Sequence, residues 1–440
     1  MKLKFWLKEK TGIKRWLFLG IIGVIIIILG ISRAIMIGLT DLHNIYLYTG
    51  IISFGIFCVF LSVIKGLDAV LTFINRECDN VTFDSKEIAD MIYEKRFLVR
   101  GPKVVVIGGG TGLSNLLRGL KRFTSNITAI VTVADDGGGS GVLRDDLGML
   151  PPGDIRNCIL ALAHTEPVME ELLQYRFTDG RLKGQSFGNL FLAAMDGISE
   201  NFMEAVQKVS SVLAVTGKVL PVTLKDVTLK ARLNNGNIIE GESNIPKEAI
   251  KQNSNIERVF IEPRDARALR EAVLAIKDAD AIIFGPGSLY TSIIPNLLVK
   301  EIKEEIHKSS AIKIYVSNLM TQKGETDDYT VKDHIKAIYN HAGKGIIDYA
   351  IVNKGTVDND LEEKYKKKGA TLVKVDKEEI EKLKIKVIEA NLVKVKGGYI
   401  RHDTVRMCRI IIKTIMEKKL CYDRKTMMEY FYVLNRLRKK

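Results

Sequence analysis

The sequence predicts an α/β protein with a Rossmann-like, mostly parallel sheet, helices on both faces and a small β insertion, preceded by an N-terminal two-helix transmembrane hairpin. Short apolar segments that favour buried strands recur along the chain, and several lead directly into a glycine-rich turn and a helix. Two long apolar runs precede this body. With 440 residues, 46% hydrophobic and 27% charged, the chain has room for more than one domain and is neither disordered nor collagenous.

The first predicted element is a pair of membrane spans at about residues 17–39 and 45–64. As a helix, each run reaches about 30 Å, which is the thickness of a bilayer core. The alternatives are a signal peptide, for which no cleavage site is evident before the second run, and a buried hairpin of a soluble protein. Lys and Arg flank the pair on both outer sides, whereas the joining turn Thr40–Asn44 has neither. The positive-inside rule therefore places both termini and the main domain in the cytoplasm of a multi-pass cell-membrane protein.

Charge and cysteine usage exclude two other classes of protein. Of the net charge of +14, residues 1–16 carry +5 and residues 405–440 carry +8, so the body between them is nearly neutral. Basic ends beside a membrane span favour contact with membrane lipid over nucleic-acid binding. The five cysteines are dispersed without a CxxC pair, which indicates neither a disulfide framework nor a cysteine-built zinc site.

These patterns divide the chain into four segments. The sequence predicts a basic start with the hairpin (1–76), a charged connector (77–100), a ligand-binding domain (101–404) and a basic C-terminal extension (405–440). The extension contains two apolar stretches, Ile410–Met416 and Tyr430–Leu434, that suit contact with anionic lipid or with a partner.

The ligand-binding domain opens with a strand, a glycine-rich turn and a helix. Strand Lys103–Ile107 leads into Gly108–Gly112, and a helical stretch follows from Leu113. Glycines allow a phosphate to approach the backbone, and a helix N-terminus offers unpaired N–H groups. The GxGxxG spacing fails at Leu113 and the P-loop lysine is missing, so tight packing is the alternative. We expect phosphate contacts from the following residues: Gly109, Gly110, Thr111 and Gly112.

The next strand, Asn126–Val133, ends in two carboxylates followed by glycines. Such a loop can wrap a ligand and supply paired oxygens for a ribose or for Mg²⁺, with a solvated acidic turn as the alternative. The candidates here are Asp135, Asp136, Gly137 and Ser140.

Later loops add further candidates, and residues 219–262 predict a β-hairpin insertion with an Asn235-Gly236 turn. Because parallel strands end at one edge of a sheet, loops that follow them could line a single crevice. The candidates in these loops are Asp154 and Asn157, Asn189, Gly285, Gly287, Ser288 and Tyr290 of a second glycine-rich turn, and Asn318.

No catalytic residue or protein-held metal is predicted. The sequence has no HExxH, GxSxG or kinase signature, and its six histidines are dispersed.

Six motifs together resemble the YvcK family of the CofD-like superfamily, from about Lys103 to about Thr404. They are VVVIGGGTGLSNLLRGLK, ITAIVTVADDGGGSGVLR, PPGDIRN, SFGNL, GPGSLYTSIIPNLLV and SNLMTQKGETDDYT. The resemblance implies one of two functions. The CofD branch transfers 2-phospho-L-lactate. The YvcK branch, called gluconeogenesis factors, binds UDP-activated sugars such as UDP-N-acetylglucosamine and is tied to cell shape, cell-wall synthesis and growth on gluconeogenic carbon. The tripeptides Met-Thr-Gln and Gly-Glu-Thr, both in the last of these motifs, favour the YvcK branch. Gly139 departs from the family loop, because it replaces a serine.

The resemblance also implies roles for three later residues. Tyr365 and Arg401 match ligand-site positions, where Tyr can stack on a uracil or sugar and Arg can hold a diphosphate. Thr404 matches a regulatory phosphorylation site. We therefore expect a membrane-tethered UDP-sugar-binding regulator whose partners include cell-wall synthesis proteins and a Ser/Thr kinase. The alternatives are a CofD-type transferase that uses a nucleotide-activated substrate and magnesium, and, more weakly, an NAD-dependent oxidoreductase.

Overall fold

The computed structural model describes residues 13–37, 42–77, 98–99 and 101–419. The predicted basic start up to residue 12, most of the connector and the end of the basic extension lie outside these residues. The chain forms two units, Met1–Arg96 and Phe97–Lys440, and each is considered by itself.

The first unit contains the two predicted apolar helices, α1 (Ile13–Ile37) and α2 (Leu42–Glu77). They pack closely through glycines, since a Cβ at Gly23 would lie 2.9 Å from the Gly55 carbonyl oxygen and a Cβ at Gly55 would lie equally close to Gly23. Large apolar side chains face away from the partner helix; Phe18 is 65% exposed and Phe60 is 61% exposed. Segments Lys14–Met36 and Ile45–Gly66 are long and apolar enough to cross a membrane. The structure therefore contains the helix pair that the sequence predicts.

The second unit is built on a seven-stranded sheet in which every neighbouring pair is parallel. Its strands are β1 (Val104–Gly108), β2 (Ile127–Val131), β3 (Lys218–Pro221), β7 (Ala281–Phe284), β8 (Ile312–Val316), β9 (Tyr349–Asn353) and β10 (Lys386–Ala390). The order is β10-β9-β8-β7-β1-β2-β3, so the chain builds the sheet in one direction from β1 and in the other from β7. An open α/β sheet has its crevice at such a switch point, outside the carboxyl ends of the strands.

Helices cover this sheet. They are α3 (Gly110–Leu120), α4 (Gly138–Leu147), α5 (Pro152–Leu162), α6 (Pro167–Gln174), α7 (Phe187–Gly197), α8 (Phe202–Val212), α9 (Ile245–Lys251), α10 (Arg270–Lys277), α11 (Ile294–Leu298), α12 (Lys300–Lys308), α13 (Val331–Ala342), α14 (Asn359–Lys366), α15 (Lys377–Glu381) and α16 (Thr404–Lys419). A short π-helix, Leu289–Ile293, precedes α11. The leucines that recur on one side of α3, such as Leu113 and Leu117, are fully buried, and this amphipathic face holds the helix against the core.

Two small antiparallel elements complete the unit. The predicted insertion is a three-stranded sheet of order β5-β4-β6, made of β4 (Thr228–Leu233), β5 (Ile238–Glu240) and β6 (Ile256–Glu262). The hairpin is therefore confirmed, but its first strand begins at Thr228 rather than near Val222, and a third strand joins it. A second hairpin, β11 (Val393–Lys396) and β12 (Tyr399–His402), leads directly into α16.

One expectation about the C-terminal extension is wrong. The stretch Ile410–Met416 lies in α16, where Ile411 and Ile412 are fully buried and Ile415 is 1% exposed. These side chains belong to the core of the body because α16 packs against α3, where a Cβ at Gly119 would meet Cys408 Sγ at 2.6 Å. This stretch is therefore not available for contact with lipid, and the second predicted stretch, Tyr430–Leu434, lies outside the described residues.

Candidate functional site

A cavity of about 220 Å³ lies where the loops after β1, β7 and β8 meet. This is the carboxyl edge of the sheet on both sides of the switch point. The sequence-predicted residues that line it are Gly109, Gly110, Thr111, Gly112, Gly287, Ser288, Asn318 and Arg401. The structure thus brings three of the predicted loops together around one space.

The first glycine-rich turn needs glycines for both conformation and space. Gly110, which begins α3, has φ +68°, a region that favours glycine. A Cβ at Gly109 would collide with Asp154 Oδ2, and a Cβ at Gly112 would collide with the Pro286 carbonyl oxygen. The N-cap Gly109 has no side chain to cap α3, and the Asp154 carboxyl accepts a hydrogen bond from the Gly110 N–H. Thr111 and Gly112 of the same first turn line the cavity, so this helix N-terminus suits an anion.

The second glycine-rich turn lies against the first. Gly285 has φ +73°, and Gly287 passes close enough that its Cβ would be 3.3 Å from the Gly109 carbonyl oxygen. Ser288 Oγ accepts a hydrogen bond of 2.8 Å from Gln322 Nε2, which ties this turn to the loop after β8. Tyr290 lies outside the cavity lining, because its buried hydroxyl pairs with that of Tyr329 at 2.9 Å.

The loop after β8 brings amide oxygens to the cavity. Asn318 and Gln322 both line it, and neither Asn318 Oδ1 nor Gln322 Oε1 has a hydrogen-bond partner among the described residues. A buried acceptor without a donor is costly. A ligand that supplies N–H or O–H donors would satisfy both oxygens.

The β11–β12 hairpin forms one wall through Ile400, Arg401 and His402. Tyr365 does not line the cavity. Its hydroxyl accepts a hydrogen bond of 3.0 Å from the Ile400 N–H, so it holds the hairpin that bears Arg401. On the other side, His402 Nε2 lies 3.1 Å from the Ser317 carbonyl oxygen, and burial lowers the pKa of His402 to about 4. Arg401 lies 5.6 Å from the ring centroid of Tyr399.

A cluster of buried carboxyl groups lies behind the cavity lining, with Asp154 against Gly109. Burial, followed by the charges of Asp135 and other carboxylates, raises the pKa of Glu242 to about 8. Burial raises the pKa of Glu325 to about 7, and burial with the charge of Asp135 raises that of Asp154 to about 6. The pKa of Asp135 is also raised, mainly by burial. Of these groups, Glu242 and Glu325 have the pKa values that lie nearest to or above neutral pH.

The remaining predicted residues have local partners away from the cavity lining. Asp136 Oδ1 accepts from the Ser243 N–H at 2.8 Å and fixes the insertion loop. The Gly137 N–H donates to Asp135 Oδ1 at 2.9 Å. Asn157 Oδ1 accepts from Arg156 at 2.8 Å. Ser140 and Asn189 are buried, and the Asn189 N–H donates to the N-cap Ser186.

Sequence reasoning missed six polar groups of this region: Asn115, Glu242, Ser292, Gln322, Glu325 and His402. Asn115 and Ser292 each lie within a helix that follows a glycine-rich turn, so their positions were accessible from the motifs. Glu242 comes from the insertion, and no local pattern links it to the β2 loop.

The donor chemistry fits Mg²⁺ only in part. The described residues contain no group of three or more His, Cys, Asp or Glu that could hold a metal ion. Asp135 and Asp154 nevertheless supply carboxylate oxygens, and Mg²⁺ is commonly held by one or two carboxylates together with substrate phosphates. These two residues would hold a magnesium ion that arrives with a phosphate-bearing ligand, and the ion would neutralise phosphate charge there.

The sheet, its switch point and the two facing glycine-rich turns define the class: a Rossmann-like α/β protein with its candidate site at the carboxyl edge. Comparisons with known proteins place the chain more narrowly. The family model described as "2-phospho-L-lactate transferase CofD" matches residues 104–393. The chain belongs to this CofD family, in which its relatives carry the name gluconeogenesis factor.

Two relatives and one crystal structure show how far the similarity extends. A provisionally named gluconeogenesis factor of Clostridium acetobutylicum is 58% identical over 100% of this chain and 97% of its own. The gluconeogenesis factor of Bacillus subtilis is 48% identical over 72% of this chain and 99% of its own. A UPF0052 family member from Bacillus halodurans has a TM-score of 0.69 at 46% identity, over 71% of this chain and 99% of that one. The first match includes the helix pair, whereas the other two proteins are shorter.

Proposed function

We propose that the chain is a membrane-tethered cytoplasmic protein that binds a UDP-activated sugar of the UDP-N-acetylglucosamine type. In this role it regulates cell shape, cell-wall synthesis and growth on gluconeogenic carbon. The observation that carries the proposal is the meeting of two glycine-rich turns, Arg401 and two unpartnered amide oxygens around one cavity.

Each part of such a ligand has a matching group. The N-terminus of α3 and the Gly287–Ser288 turn suit the diphosphate, and the guanidinium of Arg401 can bind it with two hydrogen bonds. Asn318 and Gln322 offer acceptors for the N–H and hydroxyl groups of a base or sugar. The cavity of about 220 Å³ is smaller than sites that enclose a whole ligand of this size, so part of the ligand would extend past the β11–β12 hairpin.

The names of the relatives and the apolar helix pair support a regulatory role at the membrane. The relatives from Clostridium acetobutylicum and Bacillus subtilis are named gluconeogenesis factors. The two apolar helices would keep the binding domain at the cytoplasmic face, where lipid-linked precursors of the cell wall are assembled.

Titration calorimetry on the full chain in neutral detergent micelles tests this function. UDP-N-acetylglucosamine should bind saturably and more tightly than GDP or NAD. Tighter binding of GDP, strengthened by magnesium, would favour a transferase, and tighter binding of NAD would favour an oxidoreductase.

A CofD-type transferase is the second candidate function. The matched family model is described as a transferase, and the carboxyl pair Asp135 and Asp154 suits a magnesium-bound phosphate substrate. Under this proposal, incubating the chain with a nucleotide-activated phospholactate, a deazaflavin acceptor and magnesium would transfer the phospholactyl group to a hydroxyl of the acceptor and release the nucleoside monophosphate. Unchanged substrates would exclude it.

Regulation through Thr404 is a further part of the proposal. Thr404 begins α16, three residues after Arg401, and its hydroxyl donates to the His402 carbonyl oxygen at 3.4 Å. A phosphate here would meet the basic side chains nearby and disturb the wall of the cavity. We expect a Ser/Thr kinase to label the chain and Thr404→Ala to abolish the labelling, and unchanged labelling of the variant would remove this site.

A further inference from the structure

The solvent-facing side of the β-insertion contains a second cluster of positive charge. Arg232 of β4 and Arg258 of β6 are direct cross-strand partners, and Arg264 follows the end of β6. The three line a cavity of about 450 Å³ beside β6 and Leu298 of α11. This cavity shares no residue with the one at the carboxyl edge of the sheet.

The pairing of two arginines is unfavourable by itself. Like charges directly opposite each other destabilise an antiparallel sheet. Another cation of β4 has carboxylate partners: Lys230 forms ion pairs with Glu240 at 3.1 Å and with Glu262 at 3.8 Å. Among the described residues no carboxylate pairs with Arg232, Arg258 or Arg264. An anion from outside would therefore remove a repulsion that the fold leaves in place.

The surroundings also favour a bound ligand over dispersed surface charge. The Arg264 guanidinium lies over the ring of Phe260, 5.0 Å from its centroid, and Phe260 lines the same cavity as the three arginines. Ile261 and Leu298 add apolar surface to the cavity. The Val259 N–H donates to His341 Nε2 at 3.0 Å, so a neighbouring group anchors the strand that bears Arg258.

We propose that Arg232, Arg258 and Arg264 form a second anion site that takes a phosphate-bearing ligand. The guanidinium fork matches a phosphate with paired hydrogen bonds, which a single ammonium group cannot make. Such a phosphate has two sources, a soluble phosphorylated compound or the headgroup of an anionic lipid, and the test separates them.

Hydrogen exchange on the full chain tests the proposal, with the protein in nanodiscs of phosphatidylcholine and inorganic pyrophosphate as the probe. Pyrophosphate should slow exchange in Thr228–Leu233 and Ile256–Glu262. If the source is lipid, the same protection should appear in nanodiscs containing phosphatidylglycerol and not with pyrophosphate. Absence of protection in these strands under both conditions overturns the proposal, even if the glycine-rich turns become protected.

Variants assign the effect to the arginines. R232Q/R258Q should weaken the protecting interaction by about tenfold or more, because it removes two charge-assisted contacts. The matched control R267Q/R270Q also removes two exposed arginines, but from another surface, and should leave the protection unchanged. Arg258→Lys keeps the positive charge on the strand but replaces the planar guanidinium with an ammonium group. We therefore expect an affinity for the anion between that of the parent chain and that of R232Q/R258Q. Equal affinity in R232Q/R258Q and the parent chain would contradict the site.

UDP-N-acetylglucosamine is the remaining control. It should not protect these two strands, whether or not it binds at the carboxyl edge of the sheet. The second site and the proposed function can therefore fail independently.

Discussion

At the scale of single residues, Arg401 depends on a contact made by its neighbour. Tyr365 holds the Ile400 N–H at 3.0 Å, and Ile400 is the residue that precedes Arg401 on β12. We expect Tyr365→Phe to weaken UDP-sugar binding by about two- to tenfold, the effect of one lost hydrogen bond. Calorimetry measures this loss, with Tyr175→Phe on an exposed tyrosine as the control. An unchanged affinity in Tyr365→Phe would mean that the hairpin needs no such support.

The raised pKa values of three buried carboxyl groups lead to a second prediction about single residues. The pKa values of about 6 for Asp154, about 7 for Glu325 and about 8 for Glu242 mean that these groups ionise in turn as pH rises. Each ionisation adds negative charge to a coupled cluster whose member Asp154 lies against Gly109 of the cavity lining. UDP-sugar affinity should therefore fall between pH 6 and pH 9.

Titrations across this pH range test the dependence. Glu242→Gln should flatten its upper part, whereas Glu171→Gln on an exposed helix surface should not. Affinity that rises with pH would contradict the assignment. Because these groups bind protons more tightly in the folded chain, the free energy of unfolding should also decrease as pH rises from about 4.5 towards the pKa of Glu242.

At the scale of elements, the two glycine-rich turns act as one unit. A Cβ at Gly112 would meet the Pro286 carbonyl oxygen and come within 3.3 Å of the Gly287 nitrogen. Gly112→Ala should therefore push the turns apart and weaken phosphate-ligand binding by about tenfold or more, since anion contacts of this kind need close backbone approach.

Gly197→Ala is the matched control for this change. Gly197 ends α7, and a Cβ there meets nothing within 4 Å. Binding by Gly197→Ala should equal that of the parent chain, and thermal unfolding should show both variants folded. Full affinity in Gly112→Ala would show that the turns can separate without loss.

Elements could be predicted from the sequence where a continuous local pattern specifies both the element and the side that it buries. Strand β1, its glycine-rich turn and α3 follow from one continuous motif, and the second turn follows in the same way. Glu242 and Tyr365 differ, because each acts across a distance in sequence that no periodicity records. The stretch Ile410–Met416 shows the same limit, since an amphipathic segment that packs on a core and one that rests on lipid have the same pattern.

At the scale of the whole molecule, the helix pair separates this chain from its shorter relatives. Close contact at Gly23 and Gly55 leaves large apolar side chains on the outside of the pair. A water-exposed pair of this kind would be unfavourable, whereas a bilayer would cover it. The full chain should remain in the membrane fraction after alkaline carbonate extraction, and a chain that lacks residues 1–66 should be released. Release of the full chain would contradict the tether.

The most direct test of the whole account is the dissociation constant of UDP-N-acetylglucosamine for the parent chain, Arg401→Ala and the control Arg267→Ala. Arg401 is the cation that lines the cavity beside both glycine-rich turns. We expect saturable binding by the parent and the control, and a loss of affinity of at least about tenfold in Arg401→Ala, because a charge-assisted bidentate contact is removed. Equal binding by all three chains, or no binding by the parent, would contradict it.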